Sequence, residues 1–189
     1  MRKFVCCLIV MAAVVGCGTK GDAFKSDIKH AFLEWKKSEI SEGHYFAMDS
    51  CNGDYFVRMD SLGLESSDAP GIPDEESEIE YDFADLNSDG KQDALITFAP
   101  RQCDGGNAAM WSQIQLLALS HNNSYKIDAA FFDEIDSGKG FFHLDSAATS
   151  AVFGTYYEFG ENDGHCCPGI EKPIRIDMGT KKLEFYKKR

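Results

Sequence analysis

Basic charge, long apolar runs and the compact motifs of familiar catalysis are all scarce in this chain of 189 residues. Lys and Arg number 19 against 31 Asp and Glu, for a net charge of −12. A surface of that sign repels phosphate backbones and anionic lipid headgroups, which argues against nucleic-acid binding and against electrostatic adhesion to membranes. It suits cationic partners, divalent metal or plain solubility. The apolar run at 4–15 is too short to span a bilayer as a helix. No G-x-S-x-G elbow, H-E-x-x-H helix or phosphate-cradling P-loop occurs, so three common routes to hydrolysis lack their signatures. Nor does any period of about 20–50 residues repeat, which argues against a propeller or solenoid.

What is present begins with an address. Arg2 and Lys3 precede the apolar run, and Gly16-Cys17 ends it, the pattern of a signal peptide over residues 1–16. The ending "VVGC" resembles the lipobox of bacterial lipoproteins. That resemblance implies cleavage before Cys17, diacylglycerol on its sulfur and acylation of the new amino terminus. Several acyl chains anchor stably where one does not, since each buried methylene adds about 0.8 kcal/mol. Gly18 after the cysteine resembles the bacterial sorting pattern for outer-membrane delivery, which implies a lipid-anchored protein of the cell envelope, at the outer membrane and facing the periplasm or outward. Residues 1–16 carry two basic groups and no acid, so their removal leaves 173 residues with a net charge of −14. That length suits one domain, at 23–189, behind a polar tether at 17–22.

Beyond the lipid site, Cys51, Cys103, Cys166 and Cys167 form an even set in an oxidising compartment. Two of the three pairings join Cys51 and Cys103 separately to the adjacent pair. The third joins Cys51 to Cys103 and closes a vicinal ring, which disulfide geometry disfavours. Each long-range bridge would contribute about 3–5 kcal/mol in the chain-entropy model.

From 23 to 38 the period is helical: Phe24, Ile28, Phe32 and Trp35 make one apolar stripe, read as a face packed on a core. The stretch "DSLGLESSDAPGIPDEESE" reads as a surface loop. Further on the period changes to two. "EIEYDF", "DALITF", "MWSQIQLLALS", "YKIDAAFF", "GFFHLD", "AVFGTYYEF", "PIRIDM" and "KLEFYKK" are short strand patterns bounded by Gly, Asp, Asn or Pro. With no helical patterns between them, they predict an antiparallel sheet or meander covered on one face by the N-terminal helix, an α+β fold.

The densest polar motif is "DLNSDGKQD". Asp85, Asn87 and Asp89 stand at positions 1, 3 and 5 of a loop, Gly90 at 6, Lys91 at 7 and Asp93 at 9. Calcium takes six to eight oxygens, and three side-chain oxygens around a sharp glycine turn, the Lys91 carbonyl and a further carboxylate supply most of them. An EF-hand needs a glutamate at position 12, where this chain has Ile96. The motif resembles instead the strand–loop–strand calcium loops of integrin-type and related bacterial β repeats. Glu80, Asp82 and Asp104 are the nearby acids that could complete the shell. A metal-free turn would use the same residue types, but it does not require them at four alternating positions. Calcium with a structural role is the expectation, and Mg²⁺ suits so many ligands less well.

Taken in order, "DLNSDGKQDALITF", "CDGGNAAMWSQIQLLAL" and "TYYEFGENDGHCCPG" resemble a group of small secreted or lipid-anchored bacterial proteins. These carry a DLNGDGxxD loop, a glycine-rich stretch before an aromatic strand and a late Y-x-x-x-D-x-x-CCP segment. The resemblance runs from Tyr81 to the C-terminus and implies a β-rich envelope protein. This chain departs from the group at Cys103, and Cys51 has no counterpart there. If those two pair, the vicinal Cys166–Cys167 bond becomes the matching arrangement.

"DGHCC" gathers four possible metal ligands in five residues, but such tight spacing wraps a tetrahedral ion poorly and oxidised cysteines are not ligands. His165 is read as a turn residue. With 31 acids some carboxylate pair is inevitable, so none is evidence of hydrolysis. The expectation is a non-enzymatic envelope lipoprotein braced by calcium and disulfides. It would bind a protein partner as an inhibitor or immunity-type protein, and a basic, lysozyme-like enzyme would suit its charge. The alternative is a calcium-dependent cell-surface hydrolase or carbohydrate-binding accessory protein.

Overall fold

The computed structural model describes residues 23–48, 51, 57, 61, 70–101, 112–164 and 167–187. The signal and tether at 1–22, including the lipidation site Cys17, lie outside them, as do Cys103, Asp104, His165 and Cys166.

Helix α1, Ala23–Glu42, buries Ile28 and Phe32 and half-buries Phe24 and Trp35 against the same cluster, as the stripe predicted. It ends where Gly43 takes φ +81°. There the His44 N–H reaches the Glu39 carbonyl at 3.0 Å and the Gly43 N–H reaches that of Ile40 at 3.2 Å. This pair of hydrogen bonds satisfies orphan carbonyls of the last turn, and it needs a residue at ease in the left-handed region. No helix among the described residues is long and apolar enough to cross a membrane.

Strand β1, Phe46–Ala47, pairs in parallel with β2, Gly71–Ile72. The stretch expected to be a surface loop is therefore not one throughout: within it Gly71, Ile72 and Pro73 are buried. Period-two counting missed a strand of two residues, because two residues define no period.

The remaining strands form two antiparallel meanders. The first runs β3 (Glu80–Ala84), β4 (Asp93–Phe98), β5 (Ile114–His121) and β6 (Ser124–Asp128), in that spatial order. The second holds β7 (Phe141–Ala148), β8 (Ala151–Glu158), β9 (Ile170–Asp177) and β10 (Lys182–Phe185), again in chain order. The α+β prediction holds, with the strands divided between two stacked sheets. Phe131 and Phe132, in a 3-10 turn at Phe131–Glu134, are buried at the crossing between them.

The first sheet is the middle of three layers. Ala94, Ile96, Phe98, Leu116 and Ala118 face α1, while Leu95 and Leu117 face Leu144, Val152, Tyr156, Ile174 and Ile176 of the second sheet. Hence β4 is buried along its whole length. A strand covered on both faces loses the polar alternation of a half-exposed one.

Strand β7 is the edge of the second sheet nearest the first. Its outward backbone groups are occupied by side chains. Gln115 donates to the Phe142 carbonyl at 2.7 Å, and Gln113 both donates to the Leu144 carbonyl at 3.0 Å and accepts from its N–H at 2.7 Å. Asp82 accepts the Ala147 N–H at 2.5 Å. An otherwise open edge is thus capped and the two sheets are tied together.

Candidate metal loop and its surroundings

Residues 85–92 join β3 to β4 where three hairpins meet. Leu86 anchors the loop, only 1% exposed within the inter-sheet core. Ser88 and Gly90 take φ of +60° and +82°, and a Cβ on Gly90 would meet nothing, so glycine is favoured there by backbone conformation rather than by space. The Asp85 carboxylate accepts the N–H of Asp89 at 3.1 Å and of Gly90 at 3.0 Å. Asn87 Oδ1 accepts the Asp89 N–H at 3.0 Å, and Asp89 Oδ1 that of Lys91 at 2.8 Å. Backbone N–H groups therefore gather the oxygens of Asp85, Asn87 and Asp89 onto one turn.

Neighbouring hairpins complete the setting. The Ser120 hydroxyl donates to Asp89, the Lys91 amine donates to the Asn122 carbonyl at 2.5 Å, and the Ser150 N–H donates to the Asp85 carbonyl at 3.0 Å. The Asp89 carboxyl lies below its ordinary value, chiefly through the Ser120 hydroxyl and then the Lys91 N–H. Sequence pattern did not single out Ser120, Asn122 or Ser150, because the loop itself carries no mark of what packs against it.

Asp93 stands apart from the other three. It is fully buried, with Oδ2 accepting the N–H of Leu86 at 2.8 Å and of Asn87 at 3.1 Å, and Oδ1 that of Ser120 at 2.7 Å. Three N–H donors stabilise an ionised carboxylate that could not otherwise leave water. In kind, the donors of the loop fit a hard cation that prefers oxygen. In position they are those of a tied turn: among the described residues, no three carboxylate, imidazole or thiolate groups converge on one point. The two Asp85 oxygens and Asp89 Oδ1 each accept a single N–H and keep a lone pair for a further partner. Of the acids considered for completing a shell, Asp82 is engaged on β7. Glu80 begins β3, five residues before Asp85, about 16 Å away along an extended strand.

Two features lie outside the loop. Asp163 accepts the N–H of Gly160 at 2.6 Å and of Gly169 at 2.5 Å, bonds that hold its carboxyl below the ordinary range. It ties the backbone at Gly160 to that at Gly169. Cys51 is disulfide-bonded and Cys167 is exposed. On the outer face of the second sheet, Phe141 stacks on Tyr157 at 5.4 Å between ring centroids, beside Phe159 at 6.2 Å. The face shared by Phe153, Thr155, Tyr157 and Phe159 is thus the one turned away from the core.

Comparison with models of known protein families, with characterised proteins and with solved structures finds no match to this chain.

Proposed function

We propose that this protein is an envelope lipoprotein, anchored through Cys17, that binds a basic protein partner in a non-enzymatic, protective role. A calcium ion in the 85–93 loop braces its fold. The observation that carries the proposal is the gathering of Asp85, Asn87 and Asp89 oxygens onto one glycine turn. Carboxylates brought together repel one another unless a cation neutralises them. Asp85, Asn87 and Asp89 would hold the ion with the Lys91 carbonyl, and Asp93 would support the loop from beneath. The ion's role is structural, because the loop joins the β3–β4, β5–β6 and β7–β8 turns. The partner's sign follows from the net charge of −12.

Melting the purified full chain with excess calcium against chelator tests the metal. Calcium at a hundredfold excess over its Kd should add about 2.7 kcal/mol, or roughly 5–10 °C in a domain of this size. Identical melting in both conditions overturns the calcium assignment and leaves a polar turn.

A further inference from the structure

At the end of the β3–β4 pair opposite the loop, two adjoining cavities of about 350 Å³ each share Glu80 and Thr97 in their walls. Asp82 and Asp145 line one, and Glu78 and His143 line the other. The strand register explains the grouping. Glu80 lies opposite Thr97 and Asp82 opposite Leu95, so these side chains share the face that looks toward the second sheet. Across the gap, the β7–β8 register shifts between Leu144 and Ser146 and leaves Asp145 outside the ladder. A bulge of this kind re-aims a side chain, and here it directs a carboxylate to the cleft wall.

The independent sign of a ligand is Thr97. It is 4% exposed and lines both cavities, and its hydroxyl has no hydrogen-bond partner among the described residues. A buried hydroxyl left unpaired destabilises a fold, and valine would fill the same volume without that cost. The acids point the same way. Arg101 pairs with Glu78 at the rim. Among the described residues Glu80, Asp82 and Asp145 form no ion pair with a basic side chain. The cleft therefore offers carboxylates on two walls and a buried hydroxyl acceptor between them.

We infer that this cleft receives an arginine guanidinium of the partner, an inference that rests on the basic-partner proposal above. A guanidinium presents five donors in a planar fork and sheds water more readily than an ammonium. It can bond carboxylates on opposite walls and donate to a hydroxyl as well, which a compact ammonium does less well. Thr97 would then be satisfied only in the complex.

The test uses the full chain in detergent, with N-acetyl-arginine amide as ligand and its neutral citrulline counterpart as control. The arginine compound should shift the amide NMR signals of Glu80, Thr97 and Asp145, and the citrulline compound should not. Glu80→Gln with Asp145→Asn should weaken arginine binding at least about tenfold at low salt. Thr97→Val should raise the melting temperature while weakening arginine binding, a pairing that a purely structural threonine would not give. Equal shifts with citrulline, or wild-type arginine affinity in the double variant, overturn the site. Retention of lysozyme, as a basic probe protein, separates the two proposals. If wild type and double variant retain it alike, the cleft fails and the basic-partner reading stands. If neither retains it although arginine still binds the cleft, the partner reading fails and the guanidinium site remains.

Discussion

At the residue scale, the groups that matter most are acids whose charge is satisfied by backbone N–H groups. Asp93 is the extreme case, fully buried with three such donors, two from the 85–92 loop and one from β5. Asp93→Ala orphans all three and should cost about 3–5 kcal/mol in urea denaturation. A loss below about 1 kcal/mol would show that the loop holds its shape without it. Tyr81 gives a pH signature. Burial first, and the charge of Glu76 second, push its phenol up to about 12. Its folded value thus stands above the unfolded value of about 10. Its contribution is whole below pH 10 and is lost as pH climbs from about 10 to 12. Tyr81→Phe should therefore move the midpoint of alkaline unfolding, followed by circular dichroism, to higher pH. An unmoved midpoint would mean that this phenol does not govern the alkaline limit.

At the scale of elements, the decisive contacts are those that close β7 against the first sheet. Gln113 and Gln115 together supply three hydrogen bonds to an edge strand whose outer groups would otherwise be open. Replacing both by Leu should cost about 2–4 kcal/mol at about 1 kcal/mol per bond. It should also leave an edge able to pair with another chain. Denaturant titration reads the first effect and concentration-dependent light scattering the second. A variant of native stability that stays monodisperse would refute this role for the glutamines. In the sequence, Gln113 and Gln115 were legible only as the polar phase of an alternating strand. Alternation identifies which face a residue occupies, but not that a second sheet has a bare edge waiting there. The same holds for Leu86, a single apolar residue between two polar ones whose burial no period announces.

At the scale of the whole molecule, the three layers set where each site falls. The middle sheet carries the candidate metal loop at one end of the β3–β4 pair and the acidic cleft at the other, so the two proposed sites lie a strand's length apart. The helix stripe, the strand patterns and the α+β class followed from the sequence because each depends on local periodicity. Phe24, Ile28, Phe32 and Trp35 repeat at helical spacing whatever they pack against, and Tyr81 and Phe83 alternate with acids whatever lies above them. The Asp85–Asn87–Asp89 spacing likewise determines, by backbone geometry alone, that these oxygens share a turn around Gly90. Only the tertiary structure decided that the strands divide into two sheets, that Asp93 turns inward to bind N–H groups and that Thr97 faces Asp145 across a gap. Those outcomes depend on contacts between residues dozens of positions apart. Their energies arise from burial and from pairing across layers, and no short window of sequence contains both partners.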